Sequence, residues 1–172
     1  DSMQDMAVLL MRAEQYDDAE RYLKAIRSKI PEQYVIRLER GLVEIPVAER
    51  IDAFYKLLGQ VELLEGAIVY ARGARMARKR GVSDDKREEP TREAWIETAR
   101  HYLLAVSYFS HYATENFVRG LTFGRIYKRF EGCDPALVRE ITQEHMPQWV
   151  EGYKLPEKLV RSLFQDVFGL FD

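Results

Sequence analysis

The chain has 172 residues, 47% hydrophobic and 31% charged, which is enough apolar material for one packed domain and too much for a disordered tail. Lys and Arg number 26 against 28 Asp and Glu, a formal net charge of −2, so bulk charge gives no argument for nucleic acid or an anionic membrane as partner. One cysteine, Cys133, excludes a disulfide framework and a multi-thiolate metal centre, and no apolar run fits a membrane span or a secretory leader; a soluble, cytoplasmic chain is the expectation.

Breakers are few and the periodicity is helical almost throughout. The pattern predicts a helix over 3–14, with Ser2 as N-cap and Asp5 three positions later. A second helix covers 16–30 and stops before Pro31, with Lys29 suited to the negative end of its dipole. A third is expected over 32–44, carrying Tyr34, Val35, Leu38 and Leu42 on one stripe, and Pro46 is placed to open another. From Val47 to about Arg80 Ile51, Phe54, Leu58, Val61, Leu64, Ile68 and Ala71 recur at helical spacing, a rod of roughly 50 Å.

Residues 81–90 are polar, end in Pro90 and read as an exposed loop. Thr91 caps a second long helix, whose Trp95, Ala99, Tyr102, Val106, Phe109 and Ala113 form a coiled-coil-like seam, with a bend or end expected near Gly120 and Gly124. Residues 131–133 form a turn, Asp134-Pro135 starts a new helix, and a last helix runs from near Pro156 through Phe171. The predicted fold is a single all-α domain: N-terminal helices over 1–45, a long antiparallel hairpin over 46–131 and a C-terminal helical cap over 132–172. Asp1 standing where an initiator methionine would stand favours a piece of a longer or processed protein.

Within the N-terminal helices, Tyr16, Ala19, Tyr22, Ala25 and Pro31 occupy a pattern that resembles the second helix of a tetratricopeptide repeat. The likeness covers about one repeat, residues 3–31; the preceding helix lacks the expected Trp, Gly and Tyr, and the Ala19-to-Ala25 spacing is one short. The resemblance implies a protein–protein scaffold with no catalytic residues. One repeat cannot bury its own apolar face, so it must dock on the long hairpin or continue in a longer array.

Gly59, Gly66 and Gly73 stand seven residues apart in the first long helix and therefore share a face. Each costs about 1 kcal/mol relative to alanine in a helix interior. The competing expectations are a Cβ-free groove that receives aromatics of the facing helix, among Tyr102, Tyr108, Phe109, Tyr112 and Phe117, and a helix broken at one of the glycines. The glycines with Tyr102, Phe109 and Tyr112, together with Leu163, Phe164, Phe168 and Phe171 of the apolar last helix, are the candidate interaction surface.

Chemical motifs are sparse. His101, His111 and His145 stand alone, a di-iron bundle would need Glu-x-x-His twice, and no metal or cofactor is expected. His101 and His111 are read as satisfied, partly buried imidazoles at the seam. Arg139 and His145, with five residues between them, resemble the Arg-x(4–6)-His signature of HEPN-class helical ribonucleases, which implies acid–base cleavage of RNA; Glu140 departs from the polar residue usual after the arginine, and Pro147 is expected to end or kink the helix. Arg72, Arg75, Arg78, Lys79 and Arg80 are candidate phosphate-binding residues, although Asp84, Asp85, Glu88 and Glu89 nearby favour a helix-dipole and ion-pair role. Glu62 and Glu65, like Glu88 and Glu89, are placed on solvent faces. Cys133 beside Asp134 does not favour a thiolate.

The expectation is therefore a non-catalytic interaction or regulatory module presenting a helical groove to another protein, a second copy of the chain included. The competing classes are a HEPN-like ribonuclease and a nucleic-acid-binding helical domain.

Overall fold

A computed structural model describes residues 2–38, 44–79 and 90–163. The described residues form helices joined by turns and short extended segments, with no strand, so the chain is all-α. Helices α1 (Ser2–Arg12) and α2 (Tyr16–Ser28) pack around Ala7, Ala19, Leu23 and Ile26, and this small core is closed by Val61 and Ile68 of the first long helix. The turn between them returns Gln15 N–H to Leu10 O at 2.8 Å and holds Glu14 at φ 60°, the left-handed region in which a side chain is strained.

The helix expected over 32–44 does not form in its described part. A single 3-10 turn, Glu32–Tyr34, gives way to extended backbone at Val35. Tyr34, Val35 and Ile36 are all buried, and three consecutive side chains cannot share one helical face. The peptide groups instead find tertiary partners: Ile36 N–H donates to the Tyr108 hydroxyl at 2.9 Å, and Ile51 N–H to the Tyr34 hydroxyl at 2.8 Å. Leu42 lies outside the described residues. Pro46 opens a turn rather than a helix, with Glu49 N–H on Pro46 O at 2.9 Å.

Helix α3 (Asp52–Lys79) runs unbroken through all three glycines, and α4 (Arg92–Ser110) lies against it. Their pairing is antiparallel: Gly59 faces Phe109, Gly66 faces Tyr102 and Gly73 faces Ala94, so rising numbers on one helix meet falling numbers on the other. Thr91 caps α4 by accepting from Ala94 N–H at 3.3 Å.

The seam helix ends earlier than its pattern implies. It stops at Ser110, and Thr114 caps a new helix, α5 (Glu115–Phe130), which passes straight through Gly120 and Gly124. Asp134 caps α6 (Pro135–Glu140) with Pro135 in its first turn, as the dipeptide predicts. Pro147 does not end the following helix. A π turn over Ile141–His145 re-registers the ladder, with Met146 N–H reaching Ile141 O, and α7 (Met146–Gly152) carries the proline in its first turn, where its missing N–H is tolerated. Helix α8 (Glu157–Ser162) buries Leu159 and Val160, and Leu163 follows in the same main core with Trp95, Tyr108, Phe109 and Trp149. None of the described helices is long and apolar enough to cross a membrane.

Candidate functional site

The cluster with the most chemistry is one that the sequence reading placed on solvent. Glu62 and Glu65 lie three residues apart on α3 and so point to neighbouring positions on one side of it. Gly66 adjoins both, and without a Cβ there α4 approaches closely enough for His101 Cβ to lie 3.2 Å from where a Gly66 Cβ would sit. Helix α2 brings Arg27 from the other side. Its Nη2 donates to Glu62 Oε1 at 2.7 Å and to Glu65 Oε2 at 2.8 Å. His101 Nδ1 lies 2.6 Å from Glu62 Oε2 and 3.6 Å from Glu65 Oε2. Glu62 is only 2% exposed, so three helices are pinned through one buried carboxylate.

Burial and charge act oppositely on the two acids. For Glu62, burial raises the pKa, but the hydrogen bond and charge of His101 and the Arg27 guanidinium outweigh it and hold the carboxyl below its usual range. Glu65 moves up instead, because burial and the charge of Glu62 exceed the pull of Arg27 and His101. Arg27 pays a burial cost that its two carboxylate partners more than offset, and it stays firmly protonated.

The cluster lines an open pocket of about 680 Å³, bordered also by Lys24, Glu32, Arg37, Arg100 and Tyr153. Arg100 is held at its rim by Glu97 at 3.0 Å and the Tyr153 hydroxyl at 3.1 Å, and its Nη2 is 3.5 Å from His101 Nε2. One imidazole nitrogen thus meets the acids and the other faces a guanidinium. The arrangement can bind charged groups and share protons between acid and imidazole.

Spacing could have found Glu62. It stands three residues after Gly59 and four before Gly66, on the glycine face that was expected to meet α4. The hydrophobic stripe alone misses it, since Glu62 lies beside that stripe.

The glycine groove is filled from inside the chain. A Cβ at Gly59 would overlap the Phe109 ring, one at Gly66 would come within 2.8 Å of the Tyr102 ring, and one at Gly73 would overlap Ala94. Tyr102 and Phe109 are core residues, and these positions form the interior of the hairpin rather than a groove offered to another molecule. Tyr112 is half-buried against Phe109, its hydroxyl without a partner. Leu163 is buried, while Phe164, Phe168 and Phe171 lie outside the described residues.

Among the basic residues, Arg72 pairs with Asp17 and Glu20 of α2, and Arg75 lies over the Tyr16 ring at 5.8 Å. Both tie α2 to α3. The side chains of Arg78, Lys79 and Arg80, and the acids at 84–89, lie outside the described residues. Arg139 is exposed, and His145 is half-buried, stacked on Trp149 with ring centroids 5.6 Å apart. His101 is satisfied as expected, but His111 is not: its Nε2 is buried without a partner.

The fold and this cluster define an all-α protein with an ionic pocket at the junction of α2, α3 and α4. Comparison with known proteins finds no matching family model, no matching curated protein and no matching solved structure.

Proposed function

We propose that the chain is a non-catalytic protein–protein interaction module and that its presenting surface is the outer face of α5. The observation that carries this reading is a glycine pair with no internal reason. Gly59, Gly66 and Gly73 each admit a side chain of α4, whereas Gly120 and Gly124 have nothing within 4 Å of a would-be Cβ. Two glycines inside one helix cost about 2 kcal/mol together, a cost that packing within the described chain does not offset. Phe117 and Tyr127 flank them on the same stripe and are 53% and 50% exposed. A shallow, Cβ-free strip between two aromatic anchors suits the close approach of a partner's helix, with the aromatics supplying most of the binding energy. The tetratricopeptide resemblance of residues 3–31 points to the same class of function.

The test is binding by the purified chain, both to itself in sedimentation and to proteins captured from its source, against Gly124→Leu and Phe117→Asp. The expected outcome is one stoichiometric partner, or a dimer, lost in both variants while helix content is unchanged. Undiminished binding by both variants would remove this face from the proposal.

A further inference from the structure

We propose that Glu62, Glu65 and His101 form a binding site for a single divalent transition cation of the zinc or manganese class, open on one side to the pocket. The inference is independent of the α5 surface. Two carboxylate oxygens and an imidazole nitrogen are brought together from two helices, and the three ligand atoms all lie within 4.8 Å of one another. Ligands bonded to a common zinc at about 2.0–2.2 Å stand roughly 3–3.5 Å apart, and the spacings of His101 Nδ1 to the two acids, 2.6 Å and 3.6 Å, bracket that range. Imidazole with carboxylate is a donor set suited to borderline ions.

Charge and access agree with this geometry. Two carboxylates and one imidazole face a single guanidinium in a largely buried position, so a cation taking the place of a shared proton would be held by both acids. The pocket of about 680 Å³ supplies a route in and room for water at the remaining coordination positions. Arg27 is the resident counter-charge. It holds Glu62 through Oε1 and Glu65 through Oε2 at 2.8 Å, so Glu62 offers its Oε2 to the cation while Glu65 Oε2 would be shared between the cation and the guanidinium. Ligation through Nδ1 requires the ring proton to sit on Nε2, on the pocket side. Arg100 Nη2 lies 3.5 Å from that nitrogen and would have to move aside, toward Glu97 and Tyr153, which already hold it.

The experiment is calorimetric titration of the native chain with Zn²⁺ and with Mn²⁺, alongside Glu65→Gln and His101→Gln. Circular dichroism of each variant reports that it is folded. The expected result is uptake of one equivalent and a rise in melting temperature, with affinity weakened at least about tenfold in each variant. No saturable uptake overturns the proposal, and so does uptake that survives both substitutions, since that metal sits elsewhere. Titration of Arg27→Gln adds a third arm. Binding that appears only in this variant also overturns the site in the native chain, because it identifies the guanidinium as its permanent cation.

Discussion

Glu62 shows how a residue with an ordinary propensity takes an uncommon role through its surroundings. Both its oxygens are engaged, one by Arg27 and one by His101. Glu62→Gln replaces the fully buried carboxylate that both the half-buried Arg27 and His101 bond, and is expected to destabilise the chain by about 3 kcal/mol in urea unfolding at neutral pH. Glu65→Gln, which removes the acid whose ionisation burial opposes, should cost far less, because Arg27 retains Glu62. Their pH dependences have opposite sign. The stability that Glu62 contributes is present above its ordinary value of 4.5 and is lost as pH falls through its depressed pKa. Glu65, raised, favours the fold at low pH and loses that contribution as pH rises through its folded pKa. His111 follows the first pattern. Burial and then the charge of Arg50 lower it, so the fold must keep it neutral, and stability declines as pH drops below its ordinary value of 6.5. His111→Phe, whose ring can occupy the place beside Tyr55, should flatten the urea midpoint between pH ~7 and ~5.

Five glycines in two helices behave in two ways, and the difference is measurable. Gly59→Ala gains helix propensity but drives a methyl group into the buried Phe109 ring, and overpacking of that kind costs about 1–3 kcal/mol. Gly124→Ala meets open space and should stabilise by about 1 kcal/mol. Thermal melts of the two variants moving in the same direction would contradict this account of the α3–α4 and α5 faces. The turn joining α1 to α2 offers a third variant. Glu14 sits at φ 60°, so Glu14→Gly is expected to raise stability, by about 1 kcal/mol, despite lengthening the list of flexible residues in the chain. At α7 the chain accommodates a breaker in another way, widening the turn before Pro147 so that the helix continues past it.

At the scale of the molecule, α3 is the organising element: α1 and α2 close a small core on one of its sides, and α4 joins it to the main core on another. The ionic pocket lies where these two packings meet. Because Arg72 is spent on Asp17 and Glu20, a phosphate backbone would have to compete with an existing ion-pair network. Arg72→Gln is therefore expected to change any RNA or DNA affinity of the chain little. A steep salt dependence in a binding titration, reduced by that substitution, would restore the nucleic-acid reading. Likewise, RNA cleavage by the native chain that disappears in His145→Ala would decide for the ribonuclease reading.

The all-α class, the first long rod with an antiparallel partner after the polar loop, the caps at Thr91 and Asp134, and the shared face of Gly59 and Gly66 toward aromatics, one of two readings the pattern allowed, were legible in the sequence. Each rests on periodicity, on the side-chain chemistry of a helix end, or on the absence of a Cβ, and these act over a few residues. Tertiary packing alone decided the rest. It unwound the segment after Tyr34 by burying three side chains in a row, and it ended the seam helix at Ser110 although its apolar pattern continues to Ala113. It also turned Glu62 and Glu65 from expected surface acids into a buried cluster. A carboxylate reads as solvent-facing until its partners are known, and those partners, Arg27 and His101, lie 35 and 39 residues from Glu62 in sequence. Spacing puts Glu62 on the glycine face but does not name partners at such separations; only the docking of α2 and α4 on α3 brings these charges together.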